Sequence, residues 1–355
     1  MAVSGRSFVQ YNHAVQATLE DFFSTASEAA RLIHPDYLRL WRELARVTSN
    51  GGKRLRPKMV VLTYTALGGS DSERVVPAAA ALELLHISLL VHDDIMDREL
   101  TRRGQPNVSG IYYQRHYTLL DDDSQRRHYS DSAALLGGDL LLAGSLELMD
   151  SCIAPASYVM AAKRIFYRAI REVAGGQLLD SEAAFTPESA SVENIARYKT
   201  ASYSFIGPLL IGACLAGADQ ATQDSLERFG TALGIAYQLQ DDLLGVFGDE
   251  AITGKSTSSD LREGKQTYVV EYFLNHAPSE QKALFTASFG KPDISDTEIA
   301  HLKALLIDVG ARTATEVRLS SYLERAHAAL DELSLSDQAQ TDFAWLVDAC
   351  VRRAA

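Results

Sequence analysis

Apolar residues recur at three- and four-residue spacing along most of the chain. The stretches VQATLEDFFSTASEAARLI (15–33), AAALELLHISLLVHDDIMD (79–97), SLERFGTALGIAYQLQDDLL (225–244) and EIAHLKALLIDVGARTATEVRLSSYLERAHAAL (298–330) all carry it, and each predicts helix. Alternating β-branched runs bounded by tight hairpin dipeptides are absent. No period of about 20–50 residues repeats, which argues against a solenoid. Nor does a proline-rich linker divide the chain, so the expected architecture is all-α, a single large helical domain over 1–355. One stretch resists the pattern. Residues 107–132, NVSGIYYQRHYTLLDDDSQRRHYSDS, read as an irregular loop or insertion, with the acidic run 121–123 a solvated turn.

Composition narrows the class. Forty-six acidic against 34 basic side chains leave a net charge of −12, unlike a nucleic-acid binder. An anionic ligand stays possible if the basic residues are concentrated where it binds. Cys152, Cys214 and Cys350 show neither pairing nor metal-ligand spacing, which points to a reducing, cytoplasmic setting. The N-terminal residues lack a signal-peptide pattern. The most apolar run without charge, 205–218, falls short of the ~20 residues needed to cross a bilayer, so no transmembrane segment is expected.

Chemistry is concentrated at two helix ends. In LLHISLLVHDDIMDRELTRRGQP (84–106), Asp93 and Asp97 are four residues apart and share a helix face, with Asp94 turned about 100° away. Like charges at this spacing repel unless a cation lies between them, and all-oxygen ligation suits magnesium. Taken alone, such a pair reads equally well as an exposed acidic helix end. However, the helix above it is apolar on almost every side, and Arg102 and Arg103 follow before Gly104 and Pro106 close it. Far downstream, Asp241 and Asp242 close a second apolar helix, with Lys255 and Lys265 just beyond. Opposed across a cavity, the two ends would hold magnesium ions between carboxylates and a polyphosphate, gripped in turn by the cations. SNGGKRLRPKMV (49–60) adds glycines for close backbone approach, with Lys53 and Arg56 for charge, but no P-loop pattern.

Together GGKRLRP, LLHISLLVHDDIMD, RRGQP and the YQLQDD…GK…D…GK series resemble the trans-isoprenyl diphosphate synthases of the polyprenyl synthetase family. The resemblance implies an all-α helical bundle of isoprenoid synthase type with a central substrate cavity, working as a homodimer. It implies joining an allylic prenyl diphosphate to isopentenyl diphosphate with about three Mg²⁺ ions per site. Position by position, Asp93, Asp97 and Asp241 match metal ligands, supported by Asp94 and Asp242. Arg102, Lys199 and Lys255 match cations on the allylic diphosphate, while Lys53, Arg56, His86 and Arg103 match the isopentenyl diphosphate site. Thr200 and Gln238 match groups near the reacting carbons. Gln177 and Asp180 match an inner polar motif, and Asp260 and Lys265 also match family positions, Lys265 on the substrate side. His86 alone would read as a core histidine, and His92 has no comparable match. The third position of the second aspartate motif is Gly245 here, which removes any metal role at that position and places more weight on Asp241.

Such an enzyme needs no nucleophilic serine or cysteine, since its carboxylates and cations stabilise a departing diphosphate. Product length should be set below the first motif by Leu85, Ser88 and Leu89. No aromatic floor is present, and Leu85 lies about one turn, ~5.4 Å, beneath Ser88. A twenty-carbon product, geranylgeranyl diphosphate, is expected, with a farnesyl or a twenty-five-carbon or longer product as alternatives. Two rivals stay open. A class I terpene cyclase would not need the second anion site, and a non-catalytic subunit would tend to lose the aspartates. Tyr112, Tyr113 and Tyr117 read as packed or exposed loop residues rather than a cap. The C-terminal CVRRAA reads either as closing the isopentenyl site through Arg352 or Arg353 or as a frayed basic tail.

Overall fold

Side-chain caps set where several helices begin. Asp122, Asp219 and Ser295 accept backbone N–H bonds from Ser124, Thr222 and Glu298, and Glu298 completes a capping box with Ser295. The computed structural model describes residues 6–50, 52–183, 185–186, 191–248, 258–291 and 293–351. Lys255, Arg352 and Arg353 therefore lie outside the described residues. The described chain is all-α, as the periodicity predicts, and groups into two compact units, 1–160 and 161–355.

In the first unit the helices are α1 (Arg6–Ile33), α2 (Pro35–Ser49), α3 (Leu55–Ala66), α4 (Val76–Met96), α5 (Val108–Arg115) and α6 (Asp123–Asp150). Helix α4 is the core element, packed against α1, α3 and α6. Ala78 to Ala81, Leu82, Leu84 and Leu85 have no exposed surface. Each buried leucine contributes ~1.5–3 kcal/mol of transfer free energy. The helix formed by Ser72–Met96 and the helix Asp123–Asp150 are each long and apolar enough to cross a membrane by length and composition. That corrects the expectation that no segment is. With 72% of its most apolar window buried, the first has the character of a core helix.

Residues 107–132 are not irregular. Helix α5 and the first turns of α6 take up most of them, leaving 116–122 between. Asn107 caps α5 by accepting from Gly110 N–H, a signal masked in the sequence by the mixture of aromatics and charges. Asp122 and Asp123 open α6, solvated as expected. A second difference follows α4, which ends at Met96 rather than at Gly104. A small hairpin intervenes, β1 (Thr101–Arg102) paired antiparallel with β2 (Gln105–Pro106). Its two turn residues, Arg103 and Gly104, have φ of 55° and 71°, the sense that follows strand twist.

In the second unit, α7 (Ala156–Ala183) leads to α8 (Val192–Ile195) and a π-helical segment, Ala196–Ile206. Helices α9 (Gly207–Ala216) and α10 (Gln220–Phe247) follow, and α10 packs on the π-helical segment. After α11 (Ser259–Glu263) come α12 (Tyr268–His276), α13 (Ser279–Ser288), α14 (Asp296–Asp308), α15 (Ala311–Asp331) and α16 (Asp337–Val351). The long pattern 298–330 is two helices, because Gly310 adopts φ 81° between α14 and α15.

Candidate active site

The last turn of α4 presents its three aspartates differently. Asp93 is half-buried, Asp97 is exposed at the C-cap, and the Asp94 side chain retains only 5% of its surface. The Arg102 guanidinium lies across Asp94 and Asp93. Its Nε donates to Asp94 Oδ1 at 2.7 Å, and its Nη2 reaches Asp93 Oδ2 at 3.3 Å. The hairpin explains the geometry, since β1 turns the chain back toward the helix end it has just left. Burial pushes the Asp94 carboxyl up to about 6 even against the Arg102 hydrogen bond and charge. Arg102 thus compensates the buried aspartate directly, a pairing that linear spacing did not reveal.

Beside this end lies a cationic cluster. Arg103 donates from Nη1 to the Asn50 carbonyl at 3.3 Å and lies against Gly52, which joins RRGQP to GGKRLRP. Burial and the charges of Arg56, Arg103 and Arg102 hold His86 well below its ordinary pKa, so it is neutral at neutral pH. Burial, joined by the charge of the exposed Lys53, lowers the pKa of Lys58. The structure therefore brings Arg56, His86, Arg102 and Arg103 together, with Lys53 following the Gly52 that Arg103 lies against. It also adds Glu83, 5% exposed and one turn before His86 on α4. A lone acid inside the apolar run ALELL was the signal that could have found it.

Burial raises the Glu83 carboxyl above its ordinary range, with Arg56, Arg54 and Arg103 opposing. A carboxyl raised by folding contributes stability that is complete below its unfolded value and lost as pH rises through the folded one. Glu83→Gln should therefore gain stability relative to the parent as pH climbs from about 4 to about 8. Urea unfolding across that range checks it, and a pH-independent difference would count against this account.

The chain-length candidates separate. Leu85 is fully buried, and Leu89 is half-buried on the Asp93 face of α4. Ser88, 1% exposed, faces α6 and donates its hydroxyl to the Gly138 carbonyl at 2.8 Å. His92 packs on the same helix beside Gly138 and Asp139. Tyr112 is buried against Tyr129, while Tyr113 bonds Asp123 and Tyr117 is exposed.

In the second unit a hydrogen-bonded series runs from the π-helical segment to α10. Thr200 Oγ1 donates to Gln238 Oε1 at 2.8 Å, and Gln238 Nε2 donates to Asp242 Oδ1 at 2.8 Å. Lys199 is ion-paired with Asp180 of α7. Gly176 permits this approach, because a Cβ there would meet the Lys199 backbone well inside contact distance. Burial pushes Asp242 up to about 7, against Lys265 and the Gln238 bond. Lys265 lies 3.8 Å from Asp260. Partial burial lowers its pKa, but Asp260, Asp242, Asp180 and Asp241 outweigh that and raise it. Asp241 is half-buried on α10 beside this group.

Among the described residues, no three His, Cys, Asp or Glu side chains converge as a ready cage for a metal. Magnesium does not require one. It keeps several waters and takes one or two carboxylates together with substrate phosphate oxygens. Helix α10 runs on to Phe247, so Asp241 and Asp242 do not close it as the sequence suggested. Asp93 with Asp97, and Asp241 toward the C-terminal part of α10, are carboxylate donors of that kind, so the residues fit a divalent cation delivered with a diphosphate.

Comparison with known proteins agrees with this chemistry. The polyprenyl synthetase family profile matches residues 39–306. The chain is 33% identical over 293 residues to a geranylfarnesyl diphosphate synthase of Aeropyrum pernix, covering 81% of this chain and 85% of that protein. It is 35% identical over 272 residues to a geranylgeranyl diphosphate synthase of Sulfolobus acidocaldarius, covering 75% and 76%. Among solved structures, a geranylgeranyl pyrophosphate synthase from Corynebacterium glutamicum, complexed with isoprenyl diphosphate and magnesium, superposes with a TM-score of 0.89. That pair is 31% identical, and the match covers 97% of this chain and 99% of the other. Two aspartate-bearing helices, a neighbouring cationic cluster and this breadth of similarity place the chain in the polyprenyl synthetase family.

Proposed function

We propose that this protein is a prenyltransferase that lengthens an allylic diphosphate with isopentenyl diphosphate, and that its main product is geranylgeranyl diphosphate. The observation that carries the reading is that the α4 aspartates, held by Arg102, stand beside a second cationic group of Arg56, His86 and Arg103. One set of groups suits a metal-chelated diphosphate and the other a second diphosphate. When bound, about three Mg²⁺ ions would neutralise the charge developing on the departing allylic diphosphate. Asp93, Asp97 and Asp241 would hold them, and Asp94 and Asp242 would support that holding from buried positions. Lys199, Lys255 and Arg102 grip the same diphosphate, with Lys265 assisting.

Lys53, Arg56, His86 and Arg103 position isopentenyl diphosphate so that its double bond faces the ionised allylic carbon. A new carbon–carbon bond forms, and the released diphosphate accepts the proton then lost. Thr200 and Gln238, held by their mutual hydrogen bond, line the reacting carbons. The reaction requires that water be kept from the cation, which it would quench. The enzyme works in the cytoplasm as a homodimer.

Incubation with farnesyl diphosphate, isopentenyl diphosphate and Mg²⁺, then chromatography of the dephosphorylated products, should give a dominant twenty-carbon alcohol. Longer alcohols would show that Leu85 is no floor. No elongation with any allylic starter would refute the enzyme reading. Ser88→Phe and Leu89→Phe should each shift the main product toward fifteen carbons. Ser88→Phe should also lose ~1–3 kcal/mol of stability, since a ring must enter the close α4–α6 contact. An unchanged product distribution in both variants would remove the floor from this part of α4.

A further inference from the structure

The third position of the second aspartate motif is Gly245, four residues after Asp241 and therefore on the same face of α10. That face does not lack a carboxylate there. A Cβ built on Gly245 would fall well under 3 Å from Asp260 Oδ2, with the Asp260 Cγ next in line. The Asp260 carboxyl thus occupies the space in which an aspartate at 245 would begin its side chain.

Two features of α11 hold it there. The Lys265 N–H donates to the Asp260 carbonyl at 2.9 Å, closing the helix around Gly264 at φ 72°. The Lys265 ammonium lies 3.8 Å from Asp260 Oδ1, leaving Oδ2 over Gly245.

We propose that Asp260 supplies the acidic group that the second aspartate motif lacks, so that Asp260 with Asp241 holds a divalent cation carried by the diphosphate. The proposal rests on the reading of Asp241 as a metal-holding residue. Gly245 is then required for space: any side chain at 245 displaces the carboxylate that does the work.

The test uses the full-length protein and two measurements. One is calorimetric titration of Mg²⁺ in the presence of methylenediphosphonate; the other is the Mg²⁺ concentration giving half-maximal elongation. Asp260→Asn preserves shape and removes the charge. It should weaken Mg²⁺ binding and raise the half-maximal concentration by about tenfold or more. Gly245→Ala and Gly245→Asp should do the same by displacing Asp260. The double variant Gly245→Asp with Asp260→Gly should return to within about threefold of the parent, because it restores one carboxylate and relieves the collision.

Parent-like Mg²⁺ binding in Asp260→Asn overturns the proposal, as does a double variant no better than Gly245→Asp alone. Should the Gly245 variants fail to fold, Asp260→Asn decides the question by itself. Asp241→Asn separates this inference from the reading beneath it. If that variant also binds Mg²⁺ normally, the metal role of the second motif falls, and the proposal with it. If only Asp260→Asn is silent, the motif stands and the substitution at Asp260 is refuted.

Discussion

Asp93→Ala is expected to lower kcat by about a thousandfold while leaving the protein folded. The expectation follows from how α4 divides its aspartates. Asp93 and Asp97 share a face at the accessible end of the helix, whereas Asp94 is buried and held by Arg102. Asp94 therefore cannot turn outward to replace Asp93 without leaving the Arg102 fork. Asp93 contributes to the turnover step because charge on the leaving diphosphate grows as the allylic bond breaks. An interaction that strengthens in the transition state appears in kcat rather than only in KM. The KM for isopentenyl diphosphate should change little, since its expected contacts are Lys53, Arg56, His86 and Arg103. Steady-state kinetics with each substrate varied in turn decides the matter. A variant retaining more than about a tenth of kcat would show that Asp93 holds no metal in the reaction.

The helices and both aspartate motifs were legible in the sequence because their signals are local. Apolar spacing fixes the buried stripe of a helix, and four-residue spacing fixes which carboxylates share a face. What stayed hidden depends on chain reversals or on small residues. Arg102 meets Asp94 only because Arg103 and Gly104 turn a hairpin that brings β1 back to α4. Spacing alone placed that arginine just beyond the helix, aimed at substrate. Residues 107–132 hid a helix start because the Asn107 cap is one side chain among many polar ones. Ser88 could be placed on α4 but not against α6, since the partner is a backbone carbonyl at Gly138. Asp260 was visible as a motif residue. Its relation to Gly245 is a through-space fact, carried by the absence of a Cβ.

Arg102→Met carries the second large expectation, because it acts on stability and turnover through different partners. Methionine keeps much of the aliphatic bulk but leaves Asp94 without its guanidinium. An acceptor buried to this degree and stripped of its donor costs about 1–3 kcal/mol, here reduced somewhat because Arg102 itself is about one-third exposed. The loss should depend on pH in a defined direction. With Arg102 present, the Asp94 carboxyl already titrates at about 6, above its ordinary value, so its contribution to stability is full below about 4 and declines as pH rises through 6. Removing the guanidinium raises that carboxyl further and penalises only its ionised form. Arg102→Met should thus be nearly as stable as the parent at pH 5 and clearly less stable at pH 8, by chemical denaturation without substrate. Turnover should fall as well, because the same guanidinium is expected to grip the allylic diphosphate. Asp94→Asn separates the two effects: it removes the buried charge while retaining Arg102 for substrate. If Arg102→Met loses the same stability at both pH values, Asp94 is not the group through which Arg102 supports the fold. If it loses stability as expected but turns over normally, Arg102 serves the α4 end alone, and the grip on the diphosphate falls to Lys199, Lys255 and Lys265.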